Sequence, residues 1–129
     1  INYPRRAHFR GAVGAAREDD LKNPERRSCA SQFYVVWGKR FGKGMMARAR
    51  QIVAERTDSA VVIPEIYDSL YWERCGTPTL DGQYTVFGEV VSGLEVIEEM
   101  QFAETDANQR PLKDIRIKRA YVVQSTEEN

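Results

Sequence analysis

One histidine, two cysteines and a glycine-lysine loop are the residues of this 129-residue chain whose types could support side-chain or phosphate chemistry. His8 has no cysteine or carboxylate at ligand spacing, so the sequence offers neither a metal site nor a Ser-His-Asp relay. It is expected to be a surface or half-buried histidine. Cys29 and Cys75 lie far apart and form no C-x-x-C pair, which marks two unrelated thiols. Gly38-Lys39-Arg40-Phe41-Gly42-Lys43-Gly44 lacks the G-x-x-x-x-G-K-[ST] spacing of a phosphate loop. Extended by Arg48, Arg50 and Arg56 it could touch RNA, but no aromatic stripe interleaves the charges, and a basic loop feeding a helix is the favoured reading.

Charge and hydropathy narrow the classes further. Lysine plus arginine equals aspartate plus glutamate at 19 each, leaving no net field to draw the chain onto nucleic acid or an anionic membrane. A neutral partner such as another polypeptide fits better. No apolar run approaches the ~20 residues that span a bilayer. The N-terminus has no charged-then-apolar signal pattern, and its first residue is Ile1, so the chain is expected to be a processed or cut piece. A hydrophobic content of 42% over this length suits one modest domain.

The elements that must position any site follow from pattern. Gly11 to Arg17 is rich in small residues and reads as a tightly packed strand that another backbone can approach closely. The polar run Glu18 to Ser28, with Asn23-Pro24, is expected to be a surface loop. Gln32 to Trp37 reads as a buried strand. Met45, Met46, Ala49, Ile52 and Val53 recur at helical spacing, which predicts an amphipathic helix over Gly44 to Arg56. A second helix is expected from Pro64 to Arg74, with Ile66, Leu70 and Tyr71 on one side. Thr77-Pro78 should restart extended structure, Asp81-Gly82 signals a turn, and Tyr84 to Val90 follows as a strand. Leu94, Val96, Ile97 and Met100 predict a short helix with Glu95, Glu98, Glu99 and Glu104 on its wet side. Ile115, Ile117, Ala120 and Val122 predict a closing strand with one wet face, after which Gln124 to Asn129 should fray. Trp37 and Trp72 are expected in core or semi-buried packing.

Four segments occur in a recognisable order: Gly11-Ala12-Val13-Gly14-Ala15-Ala16-Arg17, Ser31-Gln32-Phe33-Tyr34-Val35, Leu80-Asp81-Gly82 leading to Val86-Phe87-Gly88, and Asp106 to Val123. Together they resemble the second half of a cyclophilin-type peptidyl-prolyl cis/trans isomerase. The resemblance implies a mainly β fold: a cyclophilin-like antiparallel β-barrel, incomplete in this chain, with a capping helix. It makes residues 1–129 a single partial domain, with 39–76 a helical insert within it.

The same resemblance implies a substrate-binding surface. Ala16 and Arg17 match positions whose backbone pairs with a bound peptide, and Gln32 matches a side chain that hydrogen-bonds near the reacting amide. Tyr34 and Leu80 match the pocket for a proline ring, and Tyr84 its lip. Where Tyr34 stands the family most often has phenylalanine, so the phenol needs a partner for its hydroxyl. Thr79 stands where an aromatic is usual, which removes a wall of the pocket, and Trp72 could stand in for it. No cofactor or metal is implied, and the partners are proline-containing peptides and unfolded proteins, with no nucleic acid and no membrane.

The implied chemistry is rotation about an imide. Partial double-bond character gives the bond a barrier of about 18–20 kcal/mol. A catalyst holds the proline ring, lets the other side turn, and binds the twisted amide better than the planar forms. A cationic donor aimed at the proline nitrogen lowers the barrier. In the family an arginine in a Phe-His-Arg segment supplies it; that segment has no match here, and Arg10, following His8-Phe9, is read as a solvated surface arginine. No catalytic residue is therefore assigned within these residues. Two functions remain in view: a prolyl isomerase, and a non-catalytic module on the same scaffold that binds proline-containing segments.

Overall fold

The computed structural model describes residues 3–124. Three short strands, β1 (Ala12–Ala15), β2 (Phe33–Val35) and β3 (Val86–Glu89), form one antiparallel sheet in the order β2-β1-β3. Three helices accompany it: α1 (Lys43–Thr57), α2 (Tyr67–Arg74) and α3 (Leu94–Gln101). Helix takes 28% of the structure and strand 13%, so the sheet is open and the mainly β expectation holds only in part. The reason is local: the segment expected to be helical does form two helices, and the strands are short.

The central strand is built of small residues because Tyr34 lies across it. In the β1–β2 register Gly14 faces Tyr34, and a Cβ on Gly14 would overlap the phenol ring. On the other side, a bulge between Val13 and Gly14 pairs them with Gly88 and Val86, leaving Phe87 as the extra residue. Ala15 N–H to Thr85 O (2.9 Å) and Val90 N–H to Gly11 O (2.7 Å) carry the ladder past both ends of β3.

The larger core lies between the helices and the chain leading into β1. Met46, Ala49 and Val53 form the buried stripe of α1 and meet Ala7, Phe9, Phe41, Ile63 and Tyr71. Arg50 bridges the helices, donating to Asp68 Oδ1 (2.5 Å) and to the carbonyls of Ile63 (3.3 Å) and Pro64 (3.2 Å). Gly76 stitches three segments together: it exchanges backbone bonds with Lys39 (3.0 Å each way), and its neighbours receive Arg10 N–H at Cys75 O (3.1 Å) and send Thr77 N–H to His8 O (2.8 Å). At φ +151 and with the His8 carbonyl oxygen overlapping the position a Cβ would take, no side chain fits there.

Several expectations are corrected. Thr77-Pro78 does not restart extended structure: Pro78 to Leu80 is a 3₁₀ turn, because proline pre-sets the first helical φ and Leu80 N–H and Asp81 N–H close back onto Thr77 and Pro78 carbonyls (3.2 and 3.1 Å). The 32–37 strand is not buried throughout, since Phe33 is 54% exposed and only Val36 is fully covered. Ile66, expected on the packed side of α2, is exposed. Trp72 is exposed and lies under Arg40 (5.1 Å) beside Gly42, so its ring is engaged there. The closing strand expected over Ile115 to Val122 does not form, and Ile117 and Val122 lie in water. A strand exists only as part of a ladder, and among the described residues none pairs with this stretch. Most of the expected fray, 125–129, lies outside the described residues.

Candidate peptide-binding site

The site grows from a buried carboxylate in the turn after the 3₁₀ segment. Asp81 is fully buried and accepts three donors: His8 backbone N–H (2.9 Å), His8 Nδ1–H (2.9 Å) and Tyr71 O–H (2.5 Å). His8, 1% exposed, presents its other ring nitrogen to the Tyr34 hydroxyl at 2.6 Å. The expectation of a surface or half-buried histidine is therefore overturned. What buries it is the fold: α2 delivers Tyr71, the 81–82 turn delivers Asp81, and Gly76 lets the His8 backbone approach.

From Tyr34 the chain of contacts runs outward. The His8 and Tyr34 rings lie nearly parallel (13°, centroids 5.9 Å), and Tyr84 meets Tyr34 edge-on at 6.1 Å. Arg17 covers Tyr84 with its guanidinium 4.3 Å from the ring centre, a cation–π contact. Arg17 also pairs with Asp20 (2.9 Å); the Arg17 side chain is only 5% exposed, and its Nε is buried with no partner among the described residues. Arg26 (2.8 Å) holds the Asp20 carboxylate too, and hydrogen bonds from Arg26 and then Arg17 hold its pKa below the usual value. Burial foremost, with Tyr84 and Asp81 nearby, pushes the Tyr34 hydroxyl above its ordinary range, so it stays protonated. Tyr71 is raised further, by burial first and then by Asp81.

The structure thus brings Arg17, Tyr84 and Tyr34 into one stack. Ala16 joins through its backbone, giving N–H to Gln32 O (3.1 Å) and accepting from Cys29 N–H (2.7 Å). Gln32 is exposed, at a cleft of about 200 Å³ lined also by Ala15, Cys29, Ser31, Phe33 and Phe87. Leu80 is half-buried in the 3₁₀ turn, next in sequence to Asp81. Gln83 Nε2–H braces that turn on the Thr79 carbonyl (2.6 Å). Arg10 is no solvated arginine: its guanidinium lies 4.0 Å above Trp37 and donates to the Trp37 and Gly38 carbonyls (2.8 and 3.1 Å). Sequence reasoning missed the His8–Asp81–Tyr71 cluster. The one legible hint was the phenol at position 34, which had to find a partner. Among the described residues no cluster of metal-ligating side chains occurs, and no helix is long and apolar enough to cross a membrane.

The comparisons with known proteins identify a family for the chain. The family described as "Cyclophilin type peptidyl-prolyl cis-trans isomerase/CLD" matches residues 2–122, and the chain belongs to that family. It is similar to "Peptidyl-prolyl cis-trans isomerase-like 1" of Aspergillus oryzae, 46% identical over 52 residues, which are 40% of this chain and 32% of that protein. A Schizosaccharomyces pombe peptidyl-prolyl cis-trans isomerase is 48% identical over 44 residues, 34% of this chain and 28% of the relative. One from Arabidopsis thaliana is 31% identical over 83 residues, 64% of this chain and 13% of its own. The matches thus span about a third or less of these relatives' lengths.

Proposed function

We propose that this chain carries the proline-holding side of a peptidyl-prolyl cis/trans isomerase, acting on X-Pro bonds in peptides and folding proteins. The observation that carries the reading is the Arg17–Tyr84–Tyr34 stack standing beside the Ala16 backbone. It combines an aromatic wall for a pyrrolidine ring with the backbone of Arg17, the residue after Ala16, for an extended peptide. In this reading Tyr34 and Leu80 hold the ring, Tyr84 forms the lip, Gln32 approaches the amide, and Ala16 and Arg17 align the peptide. Both backbone groups of Ala16 already have partners within the chain, so the peptide pairs first with Arg17. The sheet is then one arc of an antiparallel barrel whose interior side includes the exposed rings of Phe33 and Phe87. Residues 39–76 are a helical insert in the single domain.

The guanidinium that eases rotation is assigned to none of the arginines here, since Arg10 is spent on carbonyls and Arg17 on Asp20 and Tyr84. That assignment and Thr79 favour a second reading, a module that binds proline segments without accelerating them. Exchange NMR on an Ala-Ala-Pro-Phe tetrapeptide, with titration of the same peptide, separates the two. Faster cis/trans exchange supports the isomerase, binding at an unchanged exchange rate supports the module, and absence of binding rejects both.

A further inference from the structure

Among the described residues, the aromatic wall of the proposed site is tied to the interior by the side-chain hydrogen bond from the Tyr34 hydroxyl to His8 Nε2 at 2.6 Å. The proton positions follow from the neighbours. A carboxylate can only accept, so Asp81 requires the proton on Nδ1 of His8, 2.9 Å away. In the neutral imidazole this leaves a lone pair at Nε2, and the Tyr34 hydroxyl donates to it. The carboxylate is itself fixed by the His8 backbone N–H and the Tyr71 hydroxyl, so the ring cannot readily swap tautomers. Gly14 leaves the Tyr34 ring flush against β1.

We propose that His8 is a positioning residue for the peptide surface: its tautomer, set by Asp81, draws the Tyr34 hydroxyl inward so that the ring and not the phenol faces a bound proline. The inference rests on the peptide-binding reading above. A hydroxyl left loose at an apolar wall would have to stay hydrated or compete for the peptide's own carbonyls, and either costs affinity. Drawn inward, it is satisfied before a peptide arrives.

Two measurements on the whole chain test this. At pH 8, long-range ¹H–¹⁵N NMR should find His8 protonated on Nδ1 and bare on Nε2; the reverse tautomer overturns the proposal. Titration with the Ala-Ala-Pro-Phe tetrapeptide supplies the second readout. His8→Asn keeps a donor where Nδ1 stood and removes the acceptor at Nε2. It should raise Kd about fivefold, the worth of one hydrogen bond. In the Tyr34→Phe background, with no hydroxyl left to hold, the same change should raise Kd less than about twofold. Equal losses in both backgrounds would mark a merely structural histidine and overturn the proposal. Should His8→Asn fail to fold, the tautomer of the unaltered chain still decides. A peptide affinity indifferent to Tyr34→Ala would remove the peptide surface, and this inference with it; the NMR result tells that apart from failure of the His8 bond alone.

Discussion

The junction around Asp81 and the stretch from α3 to Val123 are opposite solutions to the same problem. At the junction polar groups are buried, but Asp81, His8, Tyr71 and Tyr34 satisfy one another within a few ångströms. Beyond it, Val96, Met100, Phe102, Leu112, Ile115 and Ile117 are apolar and remain exposed, and α3 buries no residue at all. An amphipathic pattern lowers free energy only where a second surface meets its apolar side. In the first region four separate segments supply that surface. In the second, the described residues half-bury only Leu94 and Ile97 of α3 and leave these six side chains exposed.

That contrast can be broken at its strong end first. Asp81→Ala removes the acceptor of three buried donors and should destabilise the chain by roughly 3–5 kcal/mol, the scale of a broken buried polar network. A urea titration at pH 7 that finds less than about 1 kcal/mol would mean the network is not holding the fold. Met46→Ala, at a fully buried position on α1, should cost about 2–4 kcal/mol by the same measurement.

Alkaline pH sharpens the comparison because the buried tyrosines belong to the first region alone. Tyr71 and Tyr34 are both raised above their ordinary value of 10.0, chiefly by burial. The folded chain therefore holds these protons more tightly than the unfolded chain does. Their contribution to stability is complete below about pH 10 and drains away as pH rises beyond it. Thermal midpoints measured from pH 8 to 11.5 should fall above pH 10, and Tyr71→Phe should flatten the fall; a flat profile in the unaltered chain would contradict the burial.

At the weak end, Ile117→Ser should change stability by no more than about 0.5 kcal/mol, since the side chain is already in water. A larger loss in urea titration would show that residues near 117 pack against something in solution. The open sheet face with Phe33 and Phe87 should bind a hydrophobic dye, and Phe87→Lys should reduce the signal without lowering stability appreciably.

Much of the map was legible from local rules. The small-residue strand, the polar 18–28 loop, both helices of 39–76, the 81–82 turn and α3 follow from glycine content, helical spacing and turn chemistry, all of which act within a few residues. The stack of Arg17, Tyr84 and Tyr34 joined three residues already singled out through the resemblance. What escaped were features made by distant partners. Trp72 carries the same side chain whether buried or not, and its exposure depends on where α2 docks. The 115–122 pattern alternates as a strand should, yet alternation sets which face would be buried and cannot provide the ladder.

The sequence by itself determined the family, the local elements and the need for a partner at the Tyr34 hydroxyl, because side-chain spacing and residue type act over short range. Only the tertiary structure decided that the partner is His8, that Asp81 fixes its tautomer, and that Tyr71 from α2 closes the cluster. His8 and Asp81 are 73 positions apart, and hydrogen bonds of fixed length and direction are selected by the packing of whole segments, which no short window of residues encodes.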